Sequence, residues 1–228
     1  VDLTIHYMTP DYDLYKKELT LEFQTKLVYK DNKKSGIWKE WNEEGIKISE
    51  GNYTNGYRDG FWVGWHENGV KQGEVTWKNG MESGLWIIWH QNGKKMREVH
   101  WLDGKRDGKC QEWYENGTTK KEYNWKDGNL DGKYVEWYET GQEKIEGEYS
   151  AGLKDGAWTE YFASGEKKSI ESYESGLPNG EWAEYYANSN SKQESNWEEG
   201  VLNGSWAEWY ADGQKRIEGE VESGFAIG

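Results

Sequence analysis

A glycine recurs at one unvarying interval, at Gly36, Gly60, Gly84, Gly108, Gly132, Gly156, Gly180 and Gly204, without one insertion. A period this strict leaves room for little besides a stack of like units, each burying its apolar side against its neighbours. With that glycine as position zero, a second falls at position nine: Gly45, Gly69, Gly93, Gly117, Gly141, Gly165 and Gly213, with Ser189 in the seventh unit. A third falls at position twenty, from Gly56 to Gly224 in all eight units. Glycines this frequent disfavour helix throughout the repeats.

The aromatic residues keep the same frame. Position two holds Trp38, Trp62, Trp86, Cys110, Tyr134, Trp158, Trp182 and Trp206. Position five holds Trp41, Trp65, Trp89, Trp113, Trp137, Tyr161, Tyr185 and Trp209, and position seventeen runs from Tyr53 to Val221. All 16 Trp lie in these three columns. Each unit therefore reads as two short strands, one starting at position zero and one running from position eleven or twelve to eighteen. Asn68-Gly69, Asn92-Gly93 and Asn116-Gly117 between them suit tight hairpins whose two central residues take positive φ. A further turn is expected over the third glycine and the next position zero, as in Asp127–Gly132.

Mean hydropathy is low and the net charge is −14, but 16 Trp, 16 Tyr and 4 Phe supply the apolar area for a core. Positions two and seventeen read as that core, with Gly or Val at position fifteen leaving room for a ring across the strand. Position five has the opposite parity, so Trp41, Trp65, Trp89, Trp113, Trp137 and Trp209 should form a partly exposed stripe on the other face. They are the candidate contacts for a ligand or partner.

Glu recurs at position four (Glu40, Glu112, Glu136, Glu160, Glu184, Glu208) and at position fourteen (Glu50, Glu74, Glu98, Glu122, Glu146, Glu194, Glu218). A catalytic pair of carboxylates needs one distinct environment, whereas these repeat from unit to unit. Both columns read as solvated ladders paired with Lys at positions eleven and twelve. The Asp-Gly pairs read as turn chemistry rather than calcium ligands. His6, His66, His90 and His100 show no zinc-ligand spacing, and Cys110, in the position-two column, reads as a small core residue. Neither a catalytic centre nor a cofactor site is expected. Without a basic run, nucleic acid is excluded as a partner. No apolar stretch is long enough for a membrane-inserted helix, which excludes that role too.

The unit G-x-W-x-x-W-Y-x-x-G-x-K-K-x-E-x-x-Y/W-x-x-G-x-x-D-G resembles the MORN-repeat variant of YwqK-type antitoxin-like proteins, most clearly over Lys109–Gly132 and Lys133–Gly156. The resemblance covers residues 36–227. It implies successive antiparallel hairpins in one long sheet, a surface often used for protein contacts.

The expected fold is all-β: an elongated, solenoid-type tandem array of antiparallel hairpins. Residues 1–35 form a capping segment in which Leu19, Leu21 and Phe23 alternate as in a strand, and residues 36–228 form eight units, with Gly228 opening a ninth. The expected role is a non-enzymatic structural or protein-interaction scaffold, antitoxin-like or self-assembling, with a protein or a second copy as partner. Residues 1–35 completing the last edge of another copy would give a head-to-tail contact; a chain that continues past residue 228 is the other explanation of that edge. The alternative function is a carbohydrate- or cell-wall-binding module built on exposed Trp columns. In the seventh unit, Asn188-Ser189-Asn190 predicts a distorted or longer loop with the strand register kept.

Overall fold

The computed structural model describes residues 3–4 and 28–227. Every regular element among them is a strand. They group into two units, one reaching Lys94 together with Trp101–Gly104, the other comprising Lys95–His100 and the chain from Lys105 onward. Within each unit consecutive strands pair antiparallel, so the expected all-β hairpin array is what forms. The capping strand expected around Leu19, Leu21 and Phe23 lies outside the described residues. Val28–Lys30, however, pairs with Lys33–Trp41 in the register of the repeats that follow.

Most repeats consist of a long and a short strand, as in Lys105–Trp113 and Thr119–Lys126, or Asn129–Trp137 and Glu143–Ser150; in the second and seventh units the long strand is interrupted at Asp59 and Asn179. The long strand starts ahead of position zero, earlier than the glycine pattern suggests. The expected broad turn at Asp-Gly is instead a bulge inside this strand. Tyr123 pairs with Tyr134 and Trp125 with Leu130, leaving Asp131, Gly132 and Lys133 opposite Asn124 alone. The Asp side chain works one turn away: Asp107 accepts the Asp127 N–H at 3.2 Å, and Asp155 the Ser175 N–H at 3.2 Å.

The tight turns sit at positions nineteen and twenty, where both residues have positive φ, as at Asn55 (51°) with Gly56 (88°) and Asp127 (51°) with Gly128 (88°). That geometry matches the twist of the paired strands. The Asn-Gly pattern places it instead at positions eight and nine, where only position nine is left-handed. There the Asn side chain closes the turn: Asn116 Oδ1 accepts the Thr118 N–H at 2.8 Å, and its Nδ2 donates to the Glu139 carbonyl of the next unit at 3.1 Å. Asn68 and Asn188 do the same toward Gln91 and Ala211.

The seventh unit keeps its register, with Trp182 opposite Ser195 and Tyr185 opposite Ser191. The expected distortion does not occur. Tyr186 and Asn190 close the same turn as in the other units, and Ser189 itself takes the left-handed conformation at φ 66°.

Positions two, fifteen and seventeen share one face, as strand alternation requires. Ring follows ring there: Trp38–Tyr53–Trp62, Trp77–Trp86–Trp101, Tyr134–Tyr149–Trp158 and Tyr173–Trp182–Trp197, with centroids 4.9–6.0 Å apart. Position fifteen sets how deeply the next unit's ring sinks. A Cβ on Gly51 would stand 2.0 Å from Trp62, and one on Gly147 would stand 2.3 Å from Trp158. These two indoles are the most buried rings, at 3% and 4% exposed. Where position fifteen carries Val99 and Tyr123, the position-two residue between them is Cys110, 1% exposed. The indole N–H groups of Trp62, Trp86, Trp158 and Trp182 donate to the position-sixteen carbonyl of the preceding unit at 2.9–3.1 Å, a carbonyl beside the bulge.

Candidate functional site

The position-five side chains lie on the opposite face. Trp41, Trp65, Trp89, Trp113, Trp137 and Trp209 are all half-buried, as are Tyr161 and Tyr185. Each pairs across its hairpin with position eleven, for example Trp41 with Lys47 and Trp209 with Lys215. The backbone carbonyl beneath these rings is also tied down. Tyr114, Tyr138 and Tyr186, at position six, donate their hydroxyls to the position-five carbonyl of the next unit at 2.8–2.9 Å. His66 makes the same link through Nε2, at 2.9 Å from the Trp89 carbonyl. In the sequence, His simply stands where Tyr is usual. The signal that could have found the link is that both side chains carry a polar tip at a similar reach.

Between the rings runs a ladder of opposite charges. Lys47 bonds Glu50 at 2.6 Å and Lys215 bonds Glu218 at 2.6 Å, and Lys71 with Glu74 and Lys95 with Glu98 repeat the pattern. These ammonium groups also stand over the indoles: Lys47 lies 4.2 Å from the Trp65 ring centre, Lys71 5.1 Å from Trp89, Lys95 5.7 Å from Trp113 and Lys215 5.7 Å from Trp209. The bond from Lys47 holds the Glu50 carboxyl below its usual range. In the sixth unit Tyr161 replaces the indole and donates to Glu146 at 2.7 Å, and that bond, with burial, pushes its hydroxyl up to about 12. Further out, Ile37, Phe61 and Leu85 at position one are 49%, 56% and 39% exposed.

The position-four carboxylates depart from the expected solvated ladder. Position four shares its side with the aromatic core, because it pairs with position thirteen (Glu112 opposite Lys121). Outer units do show surface pairs with position twelve, such as Lys168–Glu160 at 2.9 Å and Lys192–Glu184 at 2.7 Å. In the fourth and fifth units the carboxylates sink inward. Glu136 is 9% exposed and accepts from Lys144 at 2.8 Å, Lys121 at 3.0 Å and the Tyr134 hydroxyl at 3.2 Å. Glu112 accepts from Arg97 at 2.7 Å and from the Tyr123 hydroxyl at 2.8 Å. Burial alone would raise the Glu136 pKa. The bonds from Lys144 and Lys121 outweigh it and hold the carboxyl below its usual range. Two cations in fixed contact suit structural pairing, since a proton-transfer group needs a pKa near working pH. Burial pushes the Cys110 thiol up, away from the reactive thiolate.

Among the described residues no group of three or more His, Cys, Asp or Glu is placed to hold a metal ion. What the site offers is a sheet face with rings and paired charges at regular intervals and with exposed apolar side chains at Ile37, Phe61 and Leu85.

The MORN repeat variant model matches residues 34–55, 58–79, 82–103, 106–127 and 154–175. Each matched segment begins just before the bulge of a long strand and ends in a position-nineteen turn, so the family's unit is the hairpin described above. No curated protein matches the chain. Its repeats, in sequence and in strand frame, are those of one family: the chain belongs to the MORN repeat variant family.

Proposed function

We propose that the chain is a non-enzymatic protein-interaction scaffold whose contact surface is the position-five face. One observation carries this reading: on that face half-buried indoles recur in register with exposed Ile37, Phe61 and Leu85. Apolar side chains presented in repeated register, rimmed by charged groups, are the chemistry of a protein interface. The partner is another protein or a second copy of this chain, and an antitoxin-like role is one form of the same reading. A carbohydrate-binding module is weaker, because a sugar stacks on free ring faces and here Lys47 and Lys71 already stand over Trp65 and Trp89.

The test is capture of partners from the native source by the unaltered chain and by a Phe61→Ser, Leu85→Ser double variant, with light scattering for self-association. Both residues are exposed, so stability should change by about 0.5 kcal/mol or less each. Loss of a captured or self-associated species in the variant supports the reading. Equal capture by both forms, or binding of neutral glycans in place of protein, overturns it.

A further inference from the structure

On the position-five face, positions three and fourteen alternate in a row across the strands: Ala183 lies opposite Glu194, Glu194 opposite Ala207, and Ala207 opposite Glu218. In the first six units position three holds Lys39, Val63, Ile87, Gln111, Val135 and Thr159, all larger than Ala. Val135 fills its place and is 5% exposed. Gln111 caps the neighbouring carboxylate, donating to Glu122 at 2.8 Å. Alanine can do neither, and a cleft of about 560 Å³ opens in the seventh and eighth units. Its floor is Ala183 and Ala207. Tyr185 and Trp209 stand along one side, and Glu181, Glu194 and Glu218 together with Lys215 supply its charge.

That charge selects the occupant. Three carboxylates against one ammonium leave the cleft net negative, on a chain whose own net charge is −14. Lys215 is bound to Glu218, and Glu194 accepts from the Ser191 hydroxyl at 2.9 Å, a neutral donor that leaves its charge uncompensated. Carboxylates beside an indole and a phenol favour an organic cation over an anion or a neutral sugar, since the ring faces and the carboxylates both attract positive charge. A Lys or Arg side chain has the needed form, with an aliphatic stem for the alanine floor and a charged tip for the glutamates.

We propose that this cleft receives a Lys or Arg side chain from an extended basic segment of a partner protein. The proposal rests on the interaction-scaffold reading and names the partner's chemistry. The test is calorimetric titration of the whole chain with a blocked hexapeptide alternating Gly and Lys. Three variants are compared with the unaltered chain: Ala183→Val with Ala207→Val, Trp209→Phe, and Glu194→Gln. Valine already occupies the same column at Val63 and Val135, so the double variant should fold. It leaves the charge unaltered while filling the cleft.

Affinity is expected to fall more than tenfold in the valine variant, and by about two- to fivefold on loss of the Glu194 charge or the Trp209 indole. It should weaken with added salt. Equal affinity in the unaltered and valine chains would mean diffuse attraction to an acidic protein and would overturn the cleft. So would preference for a Gly-Gln hexapeptide or for chitotetraose. Loss of partner capture in the Phe61, Leu85 variant bears on the scaffold reading alone, whereas a failed peptide titration with capture intact defeats only the cleft.

Discussion

At the residue scale the aromatic face is a set of volume exchanges between position fifteen of one unit and position two of the next. Gly147 admits Trp158, and Val99 with Tyr123 leaves space only for Cys110. Trp158→Ala should cost about 3–5 kcal/mol by denaturant titration, as large aromatic truncations in a core do. Gly147→Val should also destabilise, since even a Cβ there meets the indole. Combined with Trp158→Cys it should cost less than the sum of the single changes, and strict additivity would show that the two residues do not share one space. The carboxylates divide by burial. Glu160→Gln, in a surface pair, should stay within about 0.5 kcal/mol. Glu136→Gln should cost more at neutral pH. Because the folded carboxyl titrates below its unfolded value of about 4.3, the stabilisation is complete above that value and is lost as pH falls through the lower folded one. Stability curves of the two chains should therefore converge in acid, and a constant gap would count against the ion-paired carboxylate.

At the element scale the long strand with its bulge and the two unlike turns decide the geometry. Much of this was legible in the residues. The three glycine columns mark the repeat, and the parity of positions two, five and seventeen assigns the faces. Turn type was less legible, because Asn-Gly serves two purposes: it can supply two left-handed residues, or one left-handed Gly and a side-chain cap. Asn116 takes the second course, since its amide reaches Glu139 in the following unit, a contact no single hairpin contains. The depth of Glu136 was hidden for the same reason. Its ladder looks uniform along the sequence, but Tyr134, Lys121 and Lys144 converge on it only after the strands pair. The cleft over Ala183 and Ala207 was visible as two small residues in a column of larger ones, but column three bore no aromatic or charged marker to draw attention. Ser189 sits at a left-handed φ of 66° that favours glycine. Ser189→Gly should raise stability by up to about 1 kcal/mol, the strain relieved exceeding the added entropy of the unfolded chain. A loss of stability would mean that the Ser side chain contributes more than its backbone strain costs.

At the scale of the whole molecule, the bonds that join units share a few fixed separations in the chain. Position six reaches into the next unit at one set distance along the sequence, as Tyr138 does to Tyr161, and the Asp cap keeps another, as from Asp155 to Ser175. None of these links depends on how many units come before or after. The length of such a chain is therefore quantised: it can shorten or lengthen by one whole repeat and keep every contact, while any other step within a strand puts the bonds that span it out of phase. Removing residues 177–200 joins Gly176 to Val201 and sets Trp206 in the place of Trp182. That shortened chain should unfold cooperatively, with a denaturant slope lower by about a tenth, in proportion to the surface removed. Duplication or loss of one unit in such a gene would then be tolerated as few other insertions or deletions are, so that the reach of the proposed contact face is set by copy number rather than by point substitution.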